Sequence, residues 1–145
     1  MKAIIQRVKS SSCTIDGKLQ AKIDHGITVL IGYCKGDDPI VNEWLSEKLL
    51  GLRIFPDEDG KMNKSIIDVN GSLLLIPNFT LCAQTQKGLR PSFIDAEDPS
   101  KAKLLFDDLG KVISNKYSHV SMGVFGADML IDIANDGPVT LMYEK

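Results

Sequence analysis

Short apolar runs separated by turn-forming clusters fill the first third of the chain, a pattern of strands rather than helices. Residues 2–9 predict one strand and Ser12–Ile15 a second, which turns at Asp16-Gly17-Lys18, a strong hairpin signal. Leu19–Ile23 returns, Asp24-His25-Gly26 turns again, and Ile27–Cys34 is apolar enough for a central strand, so the start reads as a β-meander. The period changes at Asp38-Pro39, where N-cap and N1 chemistry opens a helix carrying Ile40, Val41, Trp44, Leu45, Lys48, Leu49 and Leu52 and ending near Gly51 or Arg53. Arg53-Ile54-Phe55 resumes extended structure, and Ser72–Ile76 predicts another strand. Asp98-Pro99 opens a second helix with Ala102, Leu105, Phe106, Leu109, Val112 and Ile113 inward, and Val120–Val124, Met129–Ala134 and Val139–Tyr143 predict three closing strands. Two amphipathic helices with seven or more strands give the α+β class, a curved sheet or small β-barrel. Gly123, Gly126 and Gly137 fall where strands bend or a backbone approaches closely.

Two stretches carry turn chemistry beyond what connection requires: Ile76-Pro77-Asn78-Phe79-Thr80-Leu81 and Asn135-Asp136-Gly137-Pro138-Val139-Thr140. Each follows an apolar run, which puts it at the rim of a sheet, and together they read as two walls of one pocket. In the second, Asn and Asp bond their own backbone, Gly tolerates positive φ and Pro fixes φ. A plain loop is one reading. The other needs a cis Gly137–Pro138 bond, which turns the carbonyls of both residues to one side as a rigid pair of acceptors.

The bulk numbers suit one domain, residues 1–145, with 43% hydrophobic and 25% charged residues. No apolar run approaches the roughly 18 residues of a membrane span, and residues 1–7 lack the features of a signal peptide, so the expected location is cytoplasmic. Cys13, Cys34 and Cys82 are widely spaced with no CxxC and read as reduced thiols. His25 and His119 sit in no nucleophile motif, which argues against imidazole catalysis. The acidic run Pro56-Asp57-Glu58-Asp59-Gly60 lacks the later glutamate of a calcium loop and reads as a solvated turn; no cluster calls for a metal or other cofactor. A formal charge of −2 argues against a long phosphate-tracking surface, yet leaves room for gripping one RNA end, with Lys87 and Arg90 as a local patch.

Seven separated motifs follow one another along the chain: Gln6-Arg7-Val8, Leu52-Arg53-Ile54-Phe55, Gly60-Lys61-Met62-Asn63, Phe79-Thr80-Leu81, Lys87-Gly88 with Arg90-Pro91-Ser92-Phe93, Gly123-Val124-Phe125-Gly126-Ala127-Asp128-Met129, and Asn135–Thr140. Through them the whole chain resembles the D-aminoacyl-tRNA deacylases. It implies that family's barrel-like α+β fold, a homodimer with sites at the subunit interface, and a cis Gly137–Pro138 loop reaching into the partner's pocket beside Phe79 and Thr80. The implied activity is a hydrolase acting on the ester between a D-amino acid and the terminal adenosine of tRNA, with no cofactor. Backbone carbonyls would hold the substrate ammonium, and rigid backbone would occupy the direction an L side chain needs. Glycine, with no side chain, would pass, so mischarged glycyl-tRNA is an expected second substrate.

The resemblance implies the following roles: backbone N–H groups of Phe79 and Thr80 as an oxyanion site, Gly137 and Pro138 for chiral selection, Asn78, Phe79, Met129 and Asn135 for substrate binding, and Lys87 and Arg90 for tRNA contact. Thr80 reads either as a nucleophile or as a strand-end residue that shapes the pocket; no base adjoins it in sequence. Phe79 either packs under the pocket or stacks on the adenine. The first wall departs from the family's Ser-Gln-Phe-Thr-Leu, having Pro77-Asn78 in place of Ser-Gln. That departure keeps open a related editing deacylase of altered specificity, beside a non-catalytic module that only binds aminoacyl-tRNA.

Overall fold

Strand β1 (Lys2–Ile15) is the spine of the fold in the computed structural model, which describes residues 1–145. Residues 2–8 pair antiparallel with β3 (Gly26–Gly32), and residues 11–15 pair with β2 (Lys18–Ile23). Along its other edge β1 carries β8 (Leu130–Glu144). The sheet continues from β3 to β6 (Ser72–Pro77) and β7 (Val120–Met122), both joined in parallel, while β4 (Phe55–Pro56) and β5 (Met62–Lys64) form a separate hairpin. Strand β2 comes back against β6 and β7, so the sheet curls into the expected near-barrel.

Three expectations are corrected. The start is not a meander, because β2 and β3 both pair with β1 and not with each other. The two strands expected over 2–9 and 12–15 are one: the serine run between them stays in the ladder, and the buried Ser11 hydroxyl donates to the Asp132 carbonyl at 2.8 Å. The strands expected over 129–134 and 139–143 are likewise one, β8, with the Asn-Asp-Gly-Pro stretch inside it rather than on a connecting turn.

Helix α1 (Ile40–Gly51) starts where Asp38-Pro39 predicts, with Asp38 Oδ1 accepting the Ile40 N–H at 2.9 Å. Its buried face is rotated from the apolar spacing, however: Ile40 faces water, while Asn42 and Ser46 are buried beside Val41, Leu45, Leu49 and Leu50. Helix α2 (Pro99–Lys116) follows the reading closely, capped by Asp98, whose side chain accepts from the Ser100 and Lys101 N–H groups. Both helices cover the face of the sheet that carries Ile5, Val29, Leu73 and Leu75.

The polar intrusion in α1 has a physical reason. Asn42 accepts from the Tyr33 hydroxyl at 2.7 Å and donates to the Leu105 carbonyl and the Asp108 carboxylate, each at 2.8 Å, so it ties β3's end, α1 and α2 together. Burial, with Asp37 and Asp108 nearby, pushes the Tyr33 phenol far above the ordinary tyrosine range, keeping it a neutral donor. Replacing Asn42 with Ala should cost about 1–3 kcal/mol, because buried polar partners lose their bonds. Tyr33→Phe should cost less, since Asn42 keeps its two donor bonds. Urea unfolding midpoints of the two variants check the order.

Candidate active site

Strand β6 delivers the chain to Pro77 and Asn78, after which Phe79–Cys82 closes one 3-10 turn. Asn78 makes that turn: its side-chain Oδ1 accepts the Thr80 N–H at 3.2 Å and the Thr80 hydroxyl at 2.5 Å. Its own N–H donates to the Ile31 carbonyl at 2.7 Å, which seats the turn on β3. Glycine is required beneath it, because a Cβ at Gly32 would lie 2.7 Å from the Asn78 carbonyl oxygen.

A cleft of about 400 Å³ opens beside the turn. Phe79, Phe125 and Met129 form its apolar walls, and Asn78 is the one polar side chain that lines it. Phe79 is 54% exposed, and its ring meets Phe93 edge to face with centroids 5.1 Å apart. The Phe79 N–H, first in the turn, has no acceptor within it and donates to no side chain or loop carbonyl. Thr80 differs on two counts: its N–H and its hydroxyl are both held by Asn78, and it lies outside the cleft lining. The turn therefore presents one free backbone donor where two were expected.

The second stretch is a large bulge. On β1, Gln6 pairs with Thr140 and Val8 with Asn135, so Arg7 alone faces Asp136, Gly137, Pro138 and Val139 of β8. The surplus backbone is pushed out, Gly137 and Pro138 are exposed, and the bond between them is cis. Gly137 has φ of +115°, a conformation natural to glycine.

Arg7 holds the bulge. Its Nη1 donates to the Ile54 carbonyl at 2.5 Å and its Nε lies 3.0 Å from Asp136 Oδ2, a charge contact rather than an aligned hydrogen bond. Asn135 braces the base: its amide donates to the Arg7 and Val139 carbonyls at 3.0 and 3.1 Å, and its oxygen accepts from Thr140 at 3.2 Å. Those bonds occupy the amide that was expected to meet substrate.

Of the expected site residues, the structure gathers Asn78, Phe79 and Met129 in one cleft, with Thr80 alongside. Asn135, Gly137 and Pro138 do not line it; within one chain the two walls are separate. Lys87 and Arg90 are exposed on a loop whose base is closed by paired bonds between Gln84 and Ser92, and neither enters an ion pair. The sequence reading gave Arg7 and Phe125 no role. For Arg7 there was a signal, an arginine between the buried strand residues Ile5 and Val8, but its partners at positions 54 and 136 are remote in sequence.

Known proteins place this geometry. Residues 4–144 match the family model described as D-Tyr-tRNA(Tyr) deacylase. A D-aminoacyl-tRNA deacylase of Clostridium tetani is 52% identical over 145 residues, spanning 100% of this chain and 97% of the relative. One of Syntrophomonas wolfei is 45% identical with the same coverage. Among solved structures, one named c-Myc DNA Unwinding Element Binding Protein superposes with a TM-score of 0.95 at 36% identity, covering 100% of this chain and 99% of its own. A probable eukaryotic D-amino acid tRNA deacylase reaches 0.86 at 14% identity, over 98% and 97% of the two chains, a likeness of fold.

Removing the Arg7 guanidinium strands a carboxylate and a carbonyl at once. Arg7→Ala should destabilise the chain by about 2–4 kcal/mol, and Arg7→Lys should recover only part, because an ammonium lacks the fork that reaches both partners. Thermal unfolding of the three proteins, with amide hydrogen exchange of residues 135–140 to localise the loss, checks this.

Proposed function

Because the chain belongs to the D-Tyr-tRNA(Tyr) deacylase family, we propose that it removes D-amino acids from tRNA in a homodimer, each copy completing the other's cleft. The chain is a D-aminoacyl-tRNA deacylase, a hydrolase whose substrate is an aminoacyl-tRNA. The finer reading concerns how it tells the two hands apart. In that reading the aminoacyl-adenosine end of tRNA enters the cleft beside Phe79. The partner subunit's Gly137 and Pro138 then approach, their carbonyls accepting from the substrate ammonium and their backbone filling the direction an L side chain needs. Glycine, having no side chain to exclude, is hydrolysed as well.

The observation that carries the reading is the bulge: four residues of β8 against one of β1, exposed on a strand whose outer edge has no partner strand. Long unpaired edges are usually blunted or covered. This one also bears the exposed apolar side chains of Leu130, Leu141 and Met142, which suits a second copy. The cytoplasm, where tRNA is charged, is the proposed location; no helix is long and apolar enough to cross a membrane.

For the chemistry, the free Phe79 N–H supports an oxyanion contact at the ester carbonyl. The Thr80 hydroxyl donates its hydrogen bond to Asn78 Oδ1, an amide oxygen too weakly basic to activate a nucleophile. Water, or the substrate's own 2′-hydroxyl, is the better attacker. The name of one structural neighbour refers to DNA, a reading that a formal charge of −2 does not favour here.

Two measurements test this. With D-tyrosyl-, L-tyrosyl- and glycyl-tRNA at matched enzyme concentration, the D and glycyl esters should be cleaved and the L ester spared; intact glycyl-tRNA would refute exclusion by backbone. Thr80→Ala should retain activity within about tenfold, whereas a loss on the order of 10⁴ would restore Thr80 as nucleophile.

A further inference from the structure

A separate cavity, of about 550 Å³ and lined mainly by polar side chains, adjoins the far end of the Phe79–Cys82 turn. Cys34 and Cys82 both line it, among Lys2, Lys35, Gln86 and Asp95. The two sulfurs come together because the turn runs back along the end of β3. The Asn78 N–H donates to the Ile31 carbonyl, and the Cys82 thiol donates to the Tyr33 carbonyl at 3.2 Å. Tyr33 is joined to Cys34, whose side chain lies against the Cys82 thiol. We infer that Cys34 and Cys82 are a reversible dithiol–disulfide pair, oxidised by hydrogen peroxide, that switches the Phe79 cleft through the turn that Cys82 ends. In the proposed cytoplasmic location thiols are kept reduced, and a disulfide formed there is transient and regulatory rather than structural.

The two sulfurs have different parts. Cys34 is partly exposed, whereas Cys82 is 2% exposed. Burial, and then the Cys34 side chain beside it, push the Cys82 thiol up to about 12, so Cys34 is the sulfur that reacts first. It attacks one peroxide oxygen, the O–O bond breaks, and a sulfenic acid and one water form. The Cys82 sulfur then attacks the Cys34 sulfur: the S–S bond forms, the S–O bond breaks, and the hydroxyl leaves with the Cys82 proton as a second water. The thiols lose two electrons and the peroxide gains them. A small dithiol reverses the step by exchange. Cys13 is fully buried in the separate apolar cluster of Val8, Ile23, Leu74 and Ile76 and takes no part.

Cys34 is the fixed partner, so Cys82 is the one that moves. The Cys34 N–H donates to Asp37 Oδ2 at 2.7 Å, its backbone bridges to Ala96, and the Lys35 N–H donates to the Asp95 carbonyl at 2.9 Å. The bond from Cys82 to the Tyr33 carbonyl is lost on oxidation, because the thiol hydrogen leaves. Cys82 shares its single turn with Phe79 and Thr80, and the Ala83 N–H after it donates to the Thr80 carbonyl at 3.1 Å. The β3 side leaves no slack, since a Cβ at Gly32 would lie 3.1 Å from Leu81 Cβ and 3.3 Å from Cys82 Sγ. Drawing Cys82 to Cys34 therefore displaces the turn as a unit, and the Phe79 N–H with it.

The effect on activity rests on the proposed function, whereas the disulfide itself does not. After peroxide and then unfolding, only one of the three cysteines should still be alkylated, and mass spectrometry should find the Cys34 and Cys82 peptides joined with the loss of two hydrogens. The same treatment should lower kcat/KM for D-tyrosyl-tRNA by roughly 10- to 100-fold, as small displacements of reacting groups do, and dithiothreitol should restore it. Cys34→Ser should match the reduced native enzyme and lose no activity to peroxide. Oxidation of Cys34 to a sulfinic acid without joining, a joined pair with unchanged kcat/KM, or equal inactivation of Cys34→Ser would each overturn the switch. If the reduced native chain fails to cleave D-tyrosyl-tRNA, the deacylase reading falls by a result distinct from these. The switch is then judged by the joined peptides and by amide hydrogen exchange of residues 78–83, which should change on oxidation of the native chain and not of Cys34→Ser; unchanged exchange would overturn it.

Discussion

One arginine against four residues of the opposite strand is the constraint on which the rest of this structure depends. A bulge of that size forfeits ladder hydrogen bonds on both strands, and the backbone groups it frees must find other partners. Arg7 and Asn135 provide them from within: the guanidinium joins the Ile54 carbonyl and the Asp136 carboxylate, and the amide spans the Arg7 and Val139 carbonyls. The carbonyl groups at the base of the bulge are thereby paired, and the backbone at its crest, Gly137 and Pro138, stays open to whatever approaches the strand edge. The bulge is rigid at the root and exposed at the tip.

The other wall achieves definition by a shorter route. Asn78 holds both polar groups of Thr80 through one side-chain oxygen, so the turn is fixed without help from a distant element. A glutamine there, the residue of the family pattern, has one more methylene and cannot close that local ring with the same geometry. With Asn78 in place, the Thr80 N–H is taken and that of Phe79 heads the turn, which suits a site whose chemistry is carried by backbone.

Much of the fold was legible because local chemistry and packing agreed. Asp98-Pro99 and the spacing from Ala102 to Ile113 specify α2 almost to the residue, and β3 and β6 are apolar runs because both their faces are buried. The errors share a cause. Ser11, Asn42 and Asn135 are polar residues whose partners lie 121, 63 and 128 positions away, and a window of ten residues reads each as a break or a solvated position. The Asn-Asp-Gly-Pro stretch has every mark of a turn, and the backbone there does turn out of the ladder. What no local signal reveals is that the chain returns to the same strand of β1 afterwards, because that register is set by Arg7 and by the pairing of Gln6 with Thr140.

The emptiness of charge in the Phe79 cleft bears on assembly. Asn78 is its one polar side chain, with its oxygen already committed to Thr80, and no carboxylate lines it. An α-ammonium brought there would lose water and gain no side-chain acceptor, and an unpaired buried charge is costly enough that binding would fail or the amine would lose its proton. Acceptors must therefore come from outside the cleft's own side chains. The exposed carbonyls on the β8 bulge are fixed in place by Arg7 and Asn135, yet they lie apart from this cleft within one chain. In the proposed homodimer a second copy's bulge would supply those acceptors, and recognition of the amine would then be inseparable from association of the subunits.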